Sequence, residues 1–322
     1  MKTASKILPI IGFVLLTAMV MFLLLAATNE AWINHTAAGI FAVFVTIGTI
    51  IAIFYEGRTL ISQDISPVPI SRKVFELLAV VIGGLITFYF SHDIGMGVVI
   101  ASSLVGILAA MVAPEYSVAA YCGSFVGMSS NDLFFNYAEV VLASAVAGLV
   151  YVLTRDVFAG FGGKLGTIAF IGAALTALSF RREFLIVPIA DWNTNLWIIV
   201  IALIAAPLTF YLSHSHRNGP VLASGAVGLV GGLILPVLFP VYGSQFAVVA
   251  ICASFTGMSS KQRCPTFLYI GIAGLFTGIL FVYSNPLLGG AGGKLGTIAF
   301  ASIIATNGFF RLFRNTQKIV TC

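Results

Sequence analysis

Nine residues, Gly-Gly-Lys-Leu-Gly-Thr-Ile-Ala-Phe, occupy positions 162–170 and recur unchanged at 292–300. A chain that repeats itself on this scale builds two like units, and the fold must be read as a pair before it is read as a whole. The same offset of 130 relates Tyr121-Cys-Gly-Ser-Phe-Val-Gly-Met-Ser-Ser130 to Ile251-Cys-Ala-Ser-Phe-Thr-Gly-Met-Ser-Ser260. Further upstream the offset is 122, relating Thr87-Phe-Tyr-Phe-Ser-His92 to Thr209-Phe-Tyr-Leu-Ser-His214 and Ala101-Ser-x-x-Val-Gly106 to Ala223-Ser-x-x-Val-Gly228. The change of offset marks an eight-residue insertion between Gly228 and Gln245.

The units are built for lipid. Only 8% of residues are charged and 59% are hydrophobic, where a water-soluble domain carries about 25% charged residues. Apolar runs of about 20 residues recur, which is the length of a membrane helix and not of a membrane strand. The class is therefore an all-α integral membrane protein. The net charge of +5 does not imply nucleic acid, because the basic residues are scattered through short connections and form no patch. Four cysteines make no extracellular disulfide framework. Residues 1–27 resemble a signal peptide, but their apolar run exceeds the usual 7–15 residues; they read as an uncleaved first helix.

Ten spans are expected, at about 7–27, 32–55, 73–91, 95–113, 132–153, 158–180, 193–213, 219–239, 264–284 and 288–310. Residues 1–72 hold two leading helices and a cytoplasmic linker over 56–72, residues 73–182 are repeat one, and residues 193–314 are repeat two. Segments 115–130 and 244–260 are short for a helical span and turn into Gly, Ser and Met. Each reads as a re-entrant hairpin, with its irregular backbone buried in protein or lining a cavity. With the hairpins not crossing, Lys2, Lys6, Arg58, Arg72, Lys73, Arg181, Arg182, Lys261, Arg263, Arg311, Arg314 and Lys318 share one side, against Arg155 and Arg217 on the other. Twelve against two puts both termini in the cytoplasm, in a plasma membrane of bacterial inner-membrane type. Four spans per repeat then make the repeats parallel; if the short segments crossed, each repeat would have five spans and be inverted, and the positive residues are expected to divide more evenly in that case.

Lys164 and Lys294 fall about seven residues inside their expected helices, roughly 10 Å deep at 1.5 Å per residue. An ionisable group at that depth marks function by default. Gly163 and Gly293, before the lysines, could free backbone N–H groups that attract anions, and Thr167 and Thr297 follow in the same motif. The plainer reading is that the lysines snorkel outward and the glycines allow close helix packing. In the hairpins, Ser124, Ser129, Ser130 and their counterparts Ser254, Ser259, Ser260 offer hydroxyls, and Gly127 and Gly257 would let the backbone turn, as in a filter. Cys122 and Cys252 are matched and could hold a soft metal or a sulfur-containing solute, although buried cysteines more often serve as small hydrophobes. His92 and His214 end matched helices, either as interfacial anchors or as part of an electropositive outer vestibule shared with the lysines. Glu139 matches Tyr269, so it stands outside the repeated machinery, as a proton site or an interfacial residue.

These residues point to a channel or transporter moving a small, anionic solute between the repeats. A carrier for a soft metal cation or sulfur-containing solute, and a non-transporting membrane subunit, are the alternatives. Few acids lie within spans, which argues against a membrane enzyme. No cofactor or resident metal is expected. The partners are a small-molecule or ion substrate and membrane lipid, not nucleic acid, and a homo-oligomer is left open.

Overall fold

The computed structural model describes residues 4–62, 68–187, 189, 192–215 and 219–320. A leading pair, α1 (Ala4–Asn34) and α2 (Thr36–Ser62), precedes the repeated region. Then come α3 (Ile70–Phe88), which widens into a π-helical turn over Tyr89–Asp93, α4 (Val98–Val112), α5 (Ser117–Val126), α6 (Tyr137–Leu153) and α7 (Lys164–Ser179). The second set is α8 (Trp192–Ser215), α9 (Gly219–Leu238), α10 (Gly243–Gly257), α11 (Phe267–Ser284) and α12 (Lys294–Val320). Among the described residues seven helices, α1, α2, α3, α8, α9, α11 and α12, are long and apolar enough to cross a membrane. Large apolar side chains such as Val14, Phe22, Phe54, Leu149, Leu178 and Ile204 face outward. A water-soluble fold would bury such a belt; here it is the surface that meets lipid, so the chain is a multi-pass all-α membrane protein.

The direction of each helix follows from its end contacts. Glu76, early in α3, pairs with Arg155 beyond the end of α6 at 2.7 Å. Asp93, at the other end, accepts a hydrogen bond from Tyr137 at the start of α6. Thus α3 and α6 are antiparallel. Arg182, after α7, pairs with Glu139 in the first turn of α6, so α7 runs back again. The chain enters repeat one at the end that holds Arg155 and leaves it at the end that holds Arg182. Repeat two runs the other way. Phe210, late in α8, meets Phe267 at the start of α11, and Trp197, early in α8, meets Phe239 beyond α9. Arg263, just before α11, donates to Ala159 O in the Arg155-end loop and pairs with Glu56, as does Arg311 on α12.

The expectation of parallel repeats with hairpins returning to one side is therefore overturned. Segment 115–130 does not turn back. It enters as α5 at the Arg155 end and continues irregularly to Tyr137 at the Arg182 end, and its counterpart does the reverse. The segment is long enough to cross because only its α5 part has helical rise. About 1.5 Å per residue holds only in the helix, and irregular backbone covers up to about 3.3 Å. The charge tally could not have caught the error. In the observed arrangement Arg155 joins the crowded end and Arg181 and Arg182 leave it. Arg217, like Lys2, lies outside the described residues. The exchange leaves most of the described basic residues at one end, as before.

Candidate functional site: two matched vestibules

The expected helices 158–180 and 288–310 begin later than their apolar runs suggest. Gly163 and Gly293 take left-handed backbone, with φ of +77° and +89°. That conformation suits glycine, and it starts α7 and α12 at the lysines themselves. The two first turns cross at Gly166 and Gly296, so close that a Cβ on either would lie 2.4 Å from the other's Cα. Because the helices point to opposite ends, this crossing puts both N-termini at mid-depth.

Each broken span clips the glycine loop of the opposite repeat. Ser129 Oγ accepts from Gly292 N at 3.0 Å and donates to Val126 O. Ser259 Oγ accepts from Gly162 N at 2.9 Å and donates to Thr256 O. Ser130 N donates to Gly290 O and Ser260 N to Gly160 O, both at 2.9 Å. A Cβ at Gly162 would sit 2.1 Å from Phe255 O, and one at Gly292 2.2 Å from Phe125 O. Gly127 keeps helical backbone and Gly257 is the last residue of α10, so neither makes the expected turn. They admit α3 and α8 instead, since a Cβ on either would lie 2.3 Å from Gly84 O or Ala206 O.

The lysines neither snorkel nor reach into open space. Lys164 Nζ donates to Thr154 O, Arg155 O and Val157 O at 2.9–3.2 Å. Lys294 Nζ donates to Ser284 O, Asn285 O and Leu287 O at 2.8–3.4 Å. Each ammonium caps the carbonyl end of the helix before it, adding a donor to Thr154 O and Ser284 O, which also accept from Val157 N and Leu287 N, and it opposes the negative helix terminus. An ammonium has three donors, and all three are used. Its charge remains, and among the described residues neither lysine has a salt-bridge partner.

Ser124 bonds Ser102 at 2.9 Å and Ser254 bonds Ser224 at 2.8 Å, so these hydroxyls join helices. Thr167 and Thr297 are fully buried. Thr297 Oγ1 lies 3.5 Å from Gly293 O, and Thr167 Oγ1 has no partner. Cys122 Sγ donates to Leu165 O at 3.3 Å and Cys252 Sγ to Leu295 O at 3.2 Å, each within its own repeat. His92 Nε2 lies 2.8 Å from Ser129 O, whereas His214 bonds Phe210 O and Ser213 on its own helix. Because the repeats are opposed, His92 is at the Arg182 end and His214 at the Arg155 end. The lysines are separated in the same way, so the shared outer vestibule does not form; His216 lies outside the described residues. Glu139 accepts from Phe135 N, Asn136 and Arg182, which fixes the start of α6.

Two cavities stand back to back. The first, about 240 Å³, lies at the Arg155 end and is lined by the 159–165 loop, Tyr151, Arg155, Val118 and, from repeat two, Pro220, Val221 and Met258. The second, about 190 Å³, lies at the Arg182 end and is lined by the 289–295 loop, Phe281, Asn285, Val248 and, from repeat one, Val98 and Met128. The repeat offsets convert most of the first lining into the second. Phe125 and Phe255 line both, with ring centroids 4.5 Å apart, and they form the partition between the vestibules.

Sequence reasoning missed Phe125, Phe255, Tyr151, Arg155 and Glu76. The phenylalanines were visible inside the repeated Ser-Phe-x-Gly-Met motif. The other three show in the same offsets as differences: Glu76 answers Ile198, Tyr151 answers Phe281, and Arg155 answers Asn285. Comparison of the chain with known protein families, with curated proteins and with solved structures returns no match.

Proposed function

We propose that the protein is a membrane transporter or channel that moves a small anion along a route through the two vestibules and past the Phe125–Phe255 partition. The observation that carries this reading is the pair of matched cavities, entered from opposite ends and sharing one floor. A structural subunit has no need of such a pair. The anionic sign rests on the linings: Lys164 and Arg155 in the first vestibule, Lys294 in the second. A second fixed cation would disfavour a cationic solute, since unit charges 4 Å apart interact by about 4 kcal/mol at an effective dielectric of 20. Opposed repeats with interrupted spans at mid-depth suit alternating access. On this reading the chain crosses the membrane twelve times, twice in the leading pair and five times in each repeat. The basic Arg155 end and both termini lie in the cytoplasm of a plasma membrane.

The test is flux in proteoliposomes holding the purified protein, with chloride, nitrate, methanesulfonate and inorganic phosphate set against sodium and potassium. At least one anion is expected to move faster than either cation, and Phe125→Ala with Phe255→Ala to raise its passive leak. No protein-dependent flux of any probe rejects transport. Faster cation flux rejects the anionic sign.

A further inference from the structure

Glu76 is the buried carboxylate that the repeat does not require. It sits on α3 with 5% of its side chain exposed, one side chain behind the first vestibule, whose wall its partner Arg155 lines. Its Oε1 accepts from Arg155 at 2.7 Å and from Arg72 at 3.3 Å. Its Oε2 is buried and has no hydrogen-bond partner. Arg155 is 31% exposed and forms part of the vestibule wall. The matched positions in repeat two are Ile198, fully packed, and Asn285. The scaffold thus stands without this ion pair, and one repeat carries it beside one cavity. Glu139 and Glu56, the other buried acids among the described residues, differ in kind, since both oxygens of each are engaged.

Resting on the transport reading above, we infer that Arg155 is the anion-binding residue of the first vestibule and Glu76 the proton-carrying residue that competes with the anion for it. Empty, the site holds ionised Glu76 against Arg155. Loaded, one proton from the water of the first vestibule is on Glu76 Oε2 and a monovalent anion is on the Arg155 guanidinium. On release the anion leaves, Arg155 returns to Glu76, and the proton departs with it. Both states carry the same net charge, so neither leaves an unpaired charge in a low-dielectric site, which is the costly condition there. One proton travels with each monovalent anion, and the cycle is electroneutral. A lone oxygen on a buried carboxylate is also what a proton acceptor needs: it is a lone-pair site that no protein donor occupies.

The charged surroundings fit the exchange. Arg72 on the same helix holds Oε1 in either state. Tyr151 on α6 and Cys122 on α5 share the electrostatic neighbourhood of Glu76, Arg155 and Arg72. Tyr116 and Glu115 precede α5, and α4, which also packs on α3, has no titratable residue. Lys164 on α7 lies close enough to Arg155 and Asp156 to interact with both. Falling pH in the first vestibule therefore favours loading, and rising pH favours the empty ion pair.

The experiment imposes an inward proton gradient on proteoliposomes with a pH dye in the lumen, using the four anions named above as probes. The wild-type protein is expected to acidify the lumen only when a transported anion is outside, and clamping the membrane potential should not change the rate. Glu76→Gln should make anion exchange indifferent to external pH and cut anion-linked acidification by about tenfold or more, the scale of one lost charge-assisted contact. Arg155→Asn should lower anion affinity by a similar roughly tenfold factor. Should Glu76→Gln fail to fold, the double variant Glu76→Ile with Arg155→Asn takes its place, because repeat two already packs those residues at the matched positions. It should show no anion-linked acidification. Anion flux without proton movement in the wild type overturns the coupling and leaves transport standing. Persistent acidification in either Glu76 variant, or an equal fall of exchange and acidification with the pH profile unchanged, overturns the role of Glu76. No flux of any probe overturns the transport reading together with this one.

Discussion

The two vestibules are made from the same parts and differ in a few side chains. Both have a glycine loop clipped by a serine of the other repeat, a lysine that caps the preceding helix, and the shared Phe125–Phe255 floor. Only the first has Glu76, Tyr151 and Arg155, where the second has Ile198, Phe281 and Asn285. The duplication keeps what sets the backbone and lets the lining vary. The lysines, matched and fully engaged, belong with the scaffold. Arg155, unmatched and on the cavity wall, belongs with the solute. The verbatim nine residues therefore mainly set how two helices start at mid-depth.

A steric difference between the repeats gives the largest expected effect. In repeat one, α3 and α5 approach so closely that a Cβ on Gly123 would lie 1.8 Å from Val80 O, a backbone atom that cannot move alone. The matched residue in repeat two is Ala253. Gly123→Ala should cost about 3 kcal/mol, the upper range for overpacking. Ala253→Gly should cost only about 1 kcal/mol, the usual penalty for glycine inside a helix. Thermal unfolding in detergent compares the two. If both variants lose the same small amount, the repeats do not differ in this packing and the asymmetry is confined to charge.

The lysines sharpen the comparison from the other side. Lys164→Gln and Lys294→Gln each remove an ammonium that serves three carbonyls, and each should destabilise by about 2 kcal/mol, the scale of hydrogen bonds to a charged group. The two effects should be alike, since the caps are alike. Arg155→Asn alone strips buried Glu76 of its nearer partner and should destabilise by about 3 kcal/mol, whereas Glu76→Ile with Arg155→Asn should leave stability nearly unchanged while lowering anion affinity. A lysine variant that keeps its unfolding temperature but loses flux would return the lysines to the solute-binding set and dissolve the division between scaffold and lining.

Much of this was legible in the chain. The repeat, the short irregular segments and the Gly-Gly-Lys loops are visible in residues 121–130, 162–170 and their copies, and the membrane class in the scarcity of charge and the long apolar runs. The relative direction of the repeats was not legible, for a physical reason. A pattern of apolar runs gives length in residues, and the rise per residue differs about twofold between helix and extended chain. The charge rule could not decide, because Arg155 joins the crowded end as Arg181 and Arg182 leave it. The fate of the lysines was hidden as well. Their depth was reckoned from a helix start at 158 or 288, whereas the left-handed Gly163 and Gly293 move the start to the lysine, and only then do the carbonyls of the preceding helix come within reach of Nζ.

The smallest expected effect tests whether sulfur matters. Cys122 and Cys252 are matched, fully buried and line neither vestibule. Each thiol donates to a carbonyl in the first turn of α7 or α12, at 3.3 and 3.2 Å. A serine hydroxyl in the same place can make the same bond, and a weak donor is exchanged for a better one. The double variant Cys122→Ser with Cys252→Ser should therefore change stability by less than about 1 kcal/mol, within the range of one neutral hydrogen bond, and leave anion flux as it was. Because the sites are equivalent, the single variants should behave like one another. A soft-metal or sulfur-transfer route would give a different result, since hydroxyls cannot replace thiolates as ligands for soft cations. Flux abolished in the double variant, with its unfolding temperature retained, would move the cysteines from scaffold to chemistry. The matched residues would then carry the function and the unmatched Arg155 only its modulation.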